Sequence, residues 1–201
     1  MFSFSFLVYT GEKKLRSAGG FTYETGEVTY IQIKPIKEYK NLKSKISKYI
    51  LKKQKNQKYK LKISICLNFT NAFTASLNYP IWINYGINIF TVEKILKNQI
   101  IKDDTLLLIN ENSVGQTNDI MNENDDKKIA YNYAKGYWTV KYLEEKHPGF
   151  LKKTFKNSQG KNIEEKISKK LGINTSQKDN LWNQLDEILY NHFKERIESN
   201  K

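Results

Sequence analysis

Apolar and polar residues alternate along the first 36 positions, and this spacing then changes to one of three and four residues. Alternation is typical of strands with one buried face. It is found at positions 2–8, 21–23 and 28–33, the last two flanking a polar turn at 24–27. The pattern predicts a small antiparallel sheet at the N-terminus.

Beyond Pro35 the spacing places apolar side chains on one side of each of several helices. The predicted helices span 38–54, 58–77, 80–97, 127–146, 149–157, 161–171 and 176–198. The sequence His147-Pro148-Gly149 is expected to end the fourth, and Asn174-Thr175-Ser176 to cap the last. Residues 98–126 are predicted to be a connector with an apolar interruption at 106–109, and 110–126 to be its mobile part.

We therefore predict a mainly helical α+β fold, with a small N-terminal antiparallel sheet followed by a helical domain. One compact domain would contain four segments: the sheet at 1–36, two helices of special interest within 37–97, the connector at 98–126 and a C-terminal helical part at 127–201. A chain of 201 residues buries roughly 70% of its unfolded surface. Its 13 Tyr, 10 Phe and 3 Trp favour a packed globule over disorder.

The formal net charge of +13 directs attention to nucleic acids. The excess is almost entirely lysine, however, since Arg16 and Arg196 are the two arginines. Bases are read best by the planar fork of arginine, whereas lysine mainly supplies unspecific charge. We therefore expect no specific nucleic-acid partner, and a basic nucleic-acid-binding protein is kept as an alternative function.

Neither a disulfide nor a membrane span is expected. Cys66 is the single cysteine and lies in an apolar stretch, so it is interpreted as a core residue, with a nucleophile as the alternative. No run approaches the ~20 apolar residues that a membrane helix needs. The start of the chain lacks the basic and long apolar regions of a signal peptide. The expected location is cytoplasmic as written, or secreted if an upstream signal was removed.

Two runs in the middle of the chain carry a family resemblance. They are C-L-N-F-T-N-A-F at 66–73 and Y-P-I-W-I-N-Y-G at 79–86. Together they resemble the active-site frame of gluzincin-type zinc metallopeptidases, an H-E-x-x-H helix followed by P-x-W-x-x-E-G. The run Y-A-K-G-Y-W-T-V-K-Y-L-E-E-K-H-P-G at 133–149 looks like the late helix of that family, and 150–182 is similar to the closing segment of peptidase-MA-like and plant basic secretory peptidases. The likeness covers most of 19–185 and implies a zincin-like fold.

The resemblance implies that the catalytic chemistry is gone. Leu67 and Asn71 would occupy the places of the two zinc-binding histidines, Asn68 that of the general base, and Tyr85 that of the third ligand, a glutamate. Residues at i and i+4 share a helix face, which is why H-x-x-x-H chelates one ion. Leucine has no lone pair to donate, and an asparagine oxygen is a weak substitute for imidazole or carboxylate. We therefore predict that no catalytic zinc is bound.

Aligning the H-E-x-x-H motif to other positions of this sequence does not recover a site with two histidines. The sequence holds two histidines, one at the predicted helix end (His147) and one far along the last helix (His192). A site built from carboxylates is still open, and with it an alternative function as an active metallopeptidase with an atypical metal site.

The predicted function is a catalytically inactive metallopeptidase-like protein that binds a peptide or protein or acts as a structural module. Asn68, Asn71 and Tyr85 are the candidate residues of a binding cleft, joined by Tyr133 and Tyr137, because the resemblance implies a tyrosine near the oxyanion. These two tyrosines also lie on an apolar stripe and fit core positions.

The strand at 28–33 adds a second way to bind a peptide. In the family, a strand at the edge of the cleft pairs with an extended substrate through the backbone, and this mode needs no catalytic residue. The resemblance implies that the strand ending at Ile33 lies at that edge.

Overall fold

The computed structural model describes the backbone of residues 5–9, 20–23, 26–32, 49–75, 79–110, 125–157, 162–173 and 178–198. Seven helices dominate this part of the chain. They are α1 (Gln57–Ala75), α2 (Ile81–Leu96), α3 (Thr105–Asn110), α4 (Asp126–Lys146), α5 (Phe150–Asn157), α6 (Ile163–Leu171) and α7 (Lys178–Glu198).

Three short strands precede the helices and form a mixed sheet in the order β1-β3-β2. They are β1 (Ser5–Tyr9), β2 (Gly20–Tyr23) and β3 (Gly26–Gln32). Strands β2 and β3 are antiparallel, with Gly20 opposite Thr29. Strands β1 and β3 are parallel, with Ser5 opposite Val28.

The predicted fold class, an α+β domain with a small antiparallel sheet, is wrong. Most of the described chain is helical, and β1 runs parallel to its neighbour rather than antiparallel. The expected place of the strand ending at Ile33 is also wrong for the described part of it, because β3 is the central strand, with β1 on one side and β2 on the other. Alternation fixes which side chains share a face, but it carries no information on which strands become neighbours.

Six of the predicted helices are confirmed, and each of their described ends lies within two residues of the one expected. The helix end at His147 is confirmed as well, because the His147 amide donates to the Leu143 carbonyl as the C-cap of α4. The predicted cap at 174–176 lies outside the described residues.

Two other predictions, one for the segment before α1 and one for the segment after α2, are wrong. The helix expected over 38–54 ends by Ile50 in the part that is described, and Leu51 forms an isolated β-bridge with Ile101. The connector expected over 98–126 contains α3, which the apolar interruption at 106–109 forms. The expected mobile stretch lies for the most part, at 111–124, outside the described residues.

Helix α4 is the central helix of the fold. Every residue from 129 to 140 is buried, so this stretch has no solvent-facing side. Helices α2, α3, α5 and α7 all contact α4, while α1 packs on α2 and contacts β3. Across the described ranges, none of the helices combines the length and the apolar character needed to cross a membrane.

Candidate functional site

Two glycines allow α2 and α4 to cross with their backbones in contact. A Cβ atom built on Gly86 would overlap the carbonyl of Gly136, and one built on Gly136 would overlap the carbonyl of Trp82. Any other residue at either position would force the two helices apart. The P-x-W-x-x-Y-G segment and the A-K-G-Y segment, which the sequence singled out separately, therefore meet at one point.

Next to this crossing, Tyr85 of α2 stacks on Tyr133 of α4. Their ring centroids lie 3.9 Å apart, with 40° between the ring planes. Tyr85 is 37% exposed, whereas Tyr133 is 9% exposed. Burial first, and then the hydrogen bond with Tyr85, raises the pKa of the Tyr133 phenol. The pair thus presents one accessible phenol, with a second phenol supporting it from the core.

The two helices of the resemblance, α1 and α2, form an antiparallel hairpin. The Thr74 hydroxyl donates to Asn88 Oδ1 near the connection (2.9 Å), and Asn98 Nδ2 donates to the Tyr59 hydroxyl at the opposite end (2.8 Å). The connection between the helices is short, from residue 76 to residue 80.

Positions 71 and 85 lie in the parts of α1 and α2 that adjoin the connection. Asn71 lies four residues before the end of α1, and Tyr85 four residues after the start of α2. The second-histidine and third-ligand positions that the resemblance implies therefore belong to the same end of the hairpin.

The remaining candidate residues of α1 are placed as follows. Leu67 is partly buried and packs against the hydrophobic core. Asn68 and Asn71 belong to α1, and their side chains lie outside the described residues. Cys66 is a free cysteine that is partly buried against the core, as expected for a small core residue.

Tyr137 lies apart from the Tyr85–Tyr133 pair, in a separate polar cluster. It is fully buried, as the core interpretation predicted. Its hydroxyl donates to Glu93 Oε2 (2.7 Å) and accepts from Lys141 Nζ (3.0 Å). Glu93 Oε1 in turn accepts from the amides of Ile100 and Ile101. Tyr137 therefore holds the end of α2 and the chain beyond it against α4.

A buried charge cluster on the opposite side of α4 was missed by the sequence reasoning. Lys135 is fully buried and forms an ion pair with Asp186 Oδ1 at 2.8 Å. Its Nζ also donates to the Tyr131 hydroxyl and to the Trp182 carbonyl, and the Tyr131 hydroxyl donates to Asp186. The signal in the sequence was a lysine beside a glycine within the apolar stretch of α4.

The same cluster anchors the tryptophan of the P-x-W segment. The Trp82 and Trp182 rings lie 5.0 Å apart, and Trp82 Nε1 donates to Glu164 Oε1 at 2.8 Å. Lys135 Nζ lies 4.1 Å from the centre of the Trp182 ring, a cation–π geometry. Trp82 is thus a structural residue that joins α2 to α6 and α7.

Whether the candidate site can bind a metal depends on which donor atoms its side chains carry. In the described part of the chain, no group of three or more His, Cys, Asp or Glu side chains is arranged to hold an ion. Tyr85, which the resemblance assigns to the third ligand, offers a phenol, and a phenol is not among the usual zinc ligands. The described side chains at this site are aromatic, aliphatic and phenolic.

Comparisons with protein-family models, with curated proteins and with solved structures give no match to this chain. The functional argument therefore depends on the residues and their geometry.

Proposed function

We propose that this protein is a catalytically inactive, metallopeptidase-like protein that binds a peptide or protein without cutting it. The observation that carries the proposal is the Tyr85–Tyr133 pair, in which an exposed aromatic ring stacks on a buried one at the residue that the resemblance assigns to the third ligand. Asn71 and Tyr85 both belong to the end of the α1–α2 hairpin that adjoins the connection, which is compatible with the resemblance on which the proposal depends.

The chemistry of the pair suits recognition of a peptide. A tyrosine supplies a large apolar face and one hydroxyl at little entropic cost, because only two side-chain torsions are fixed on binding. Stacking on Tyr133 already restricts the Tyr85 ring, so less ordering remains for the bound state. A neutral phenol cannot replace a carboxylate that completes a zinc site.

Selection from a random-sequence peptide library displayed on phage tests the binding function. We expect a set of peptides whose affinity falls at least tenfold (about 1.4 kcal/mol) in Tyr85→Ala, measured by fluorescence anisotropy. Tyr49→Ala is the matched control, since Tyr49 is 41% exposed and Tyr85 37%. The proposal is overturned if no selected peptide depends on Tyr85, or if both variants weaken binding equally.

Restoring the ligands tests the family resemblance independently of binding. The variant Leu67→His/Asn68→Glu/Asn71→His/Tyr85→Glu is expected to bind zinc stoichiometrically, whereas the native chain is not. The control variant Cys66→His/Thr70→His/Tyr85→Glu has the same i, i+4 histidine spacing on a neighbouring face. Equal zinc affinity in both variants would contradict the family resemblance. Peptide cleavage by the native protein that is blocked by a chelator would contradict the proposal that the protein is catalytically inactive.

A further inference from the structure

A second concave surface lies between the C-terminal ends of α2 and α4, on the side of Tyr137. Its volume is about 320 Å³. It is lined by three lysines, three glutamates, two amide side chains and one phenylalanine: Lys94, Lys97, Lys141, Glu93, Glu144, Glu145, Asn98, Gln99 and Phe90. We call it the Lys141 groove, because that lysine differs from the other two in its surroundings.

Lys141 is held in place by the core below it. Its Nζ donates to the Tyr137 hydroxyl at 3.0 Å and lies 5.3 Å and 5.0 Å from the centres of the Tyr137 and Trp138 rings. The side chain is partly buried, whereas Lys94 and Lys97 are exposed. The amine therefore has a fixed position at the wall of the groove.

The charges around Lys141 act in opposite directions. Burial, followed by the positive charge of Arg196, lowers the pKa of Lys141, and the carboxylates of Glu93, Glu145 and Asp103 oppose this less strongly. Two of these carboxylates already have other partners. Glu93 accepts from two backbone amides and from Tyr137, and Glu145 is paired with Arg196 and His192.

We propose that Lys141 is a reactive amine that forms a Schiff base with a small carbonyl compound carrying an anionic group. The neutral amine attacks the carbonyl carbon, a C=N bond forms, and the carbonyl oxygen leaves as water with the two protons of the amine. No oxidant or reductant is needed. The groove has room for a compound of this size, and the carboxyl groups of Glu144 and Glu145, which can act as proton donors and acceptors, line it together with Lys141.

Lys94 and Lys97 give the preference for an anion. Both line the same groove as exposed ammonium groups, and Lys94 Nζ lies 5.2 Å from the centre of the Phe90 ring. In this proposal they bind a phosphate or carboxylate of the carbonyl compound while its carbonyl group is at Lys141. This proposal does not depend on the peptide-binding function.

Pyridoxal 5′-phosphate is the probe, with borohydride to reduce and so trap the imine, and mass spectrometry of proteolytic peptides to locate it. We expect Lys141 to be labelled several-fold faster than Lys94 and Lys97, which are controls in the same groove of the same molecule. Pyridoxal, without the phosphate, should label Lys141 more slowly. Labelling of Lys141 at or below the rate of the other two lysines would overturn the proposal, and equal rates for the two probes would overturn the anion preference.

Two variants separate reactivity from mere access. Lys141→Arg keeps the charge and should lose the specific label while retaining the native circular dichroism. Arg196→Gln removes a positive charge and releases Glu145, and both changes raise the pKa of Lys141, so labelling should slow without any new barrier to access. Unchanged labelling in Arg196→Gln would show that exposure alone sets the rate, which contradicts the proposal.

Discussion

Gly86 and Gly136 lie at a helix crossing where the backbone of α2 is in contact with that of α4. This crossing places Tyr85 on Tyr133 and fixes the orientation of the candidate site. Neither glycine needs a positive φ, so their role is to leave room for the opposite backbone.

Substituting Gly136→Ala is expected to destabilise the protein by at least about 1–3 kcal/mol, because a Cβ atom would overlap the Trp82 carbonyl and the helices must move apart. Urea unfolding measures the loss. Gly172→Ala is the control: its Cβ would meet no atom, and its φ of 68° costs about 1–2 kcal/mol. A loss in Gly136→Ala no greater than in the control would refute the crossing.

The buried Lys135–Asp186 pair should show strong coupling. Lys135→Met leaves the Asp186 carboxylate buried without its partner, and we expect a loss of about 3–5 kcal/mol. The double variant Lys135→Met/Asp186→Leu should recover much of that loss, because no charge is then left in the interior. Chemical denaturation of the two single variants and the double variant gives the coupling energy, and additive losses would show that the pair does not interact.

Lys135 also predicts how stability changes in mild alkali. Burial lowers the pKa of Lys135 to about 8, although Asp186 acts to raise it. The unfolded chain then binds more protons than the folded one between about pH 8 and about pH 10.4. Within this window the free energy of unfolding should rise with pH as the folded lysine becomes neutral. The rise is measured as the free energy of unfolding of the native protein minus that of Lys135→Met at each pH. An equal pH dependence in both proteins would contradict the lowered pKa of Lys135.

Glu145 predicts a loss of stability in acid. Burial acts to raise the pKa of Glu145, but the hydrogen bond from His192 and the charge of Arg196 outweigh it and lower the pKa below its usual value. The stabilisation is present at neutral pH and is lost as pH falls through the lowered pKa. Glu145→Gln should lose stability at pH 7 and converge with the native protein in acid. Added salt should reduce the difference, since these groups are partly exposed.

The sequence alone determined most of the helices. In α2, α4 and α7 the apolar spacing is long enough to fix the period, and Pro80 and His147-Pro148-Gly149 mark boundaries that the structure places where expected. These signals are local, because each helix is specified by residues within and next to its own segment of the chain. The core positions of Tyr133 and Tyr137 followed from the same spacing.

The candidate site could be predicted only in part. The resemblance selected Tyr85, Tyr133 and Tyr137, and the structure brings the first two together while Tyr137 lies with Glu93 and Lys141. All three tyrosines are on helices with the expected bounds. Which of them meet depends on how α2 and α4 cross, and the Gly86–Gly136 contact sets that crossing.

Only the tertiary structure decided the relations between distant segments. The parallel pairing of β1 with β3, the bridge from Leu51 to Ile101 and the burial of Lys135 against Asp186 each join parts of the chain far apart in sequence. The spacing of apolar residues reports which side of an element is buried, but not which element covers it. The sequence therefore determined the secondary-structure elements and the side-chain chemistry at each position. Tertiary packing decided which of those side chains lie together in one site.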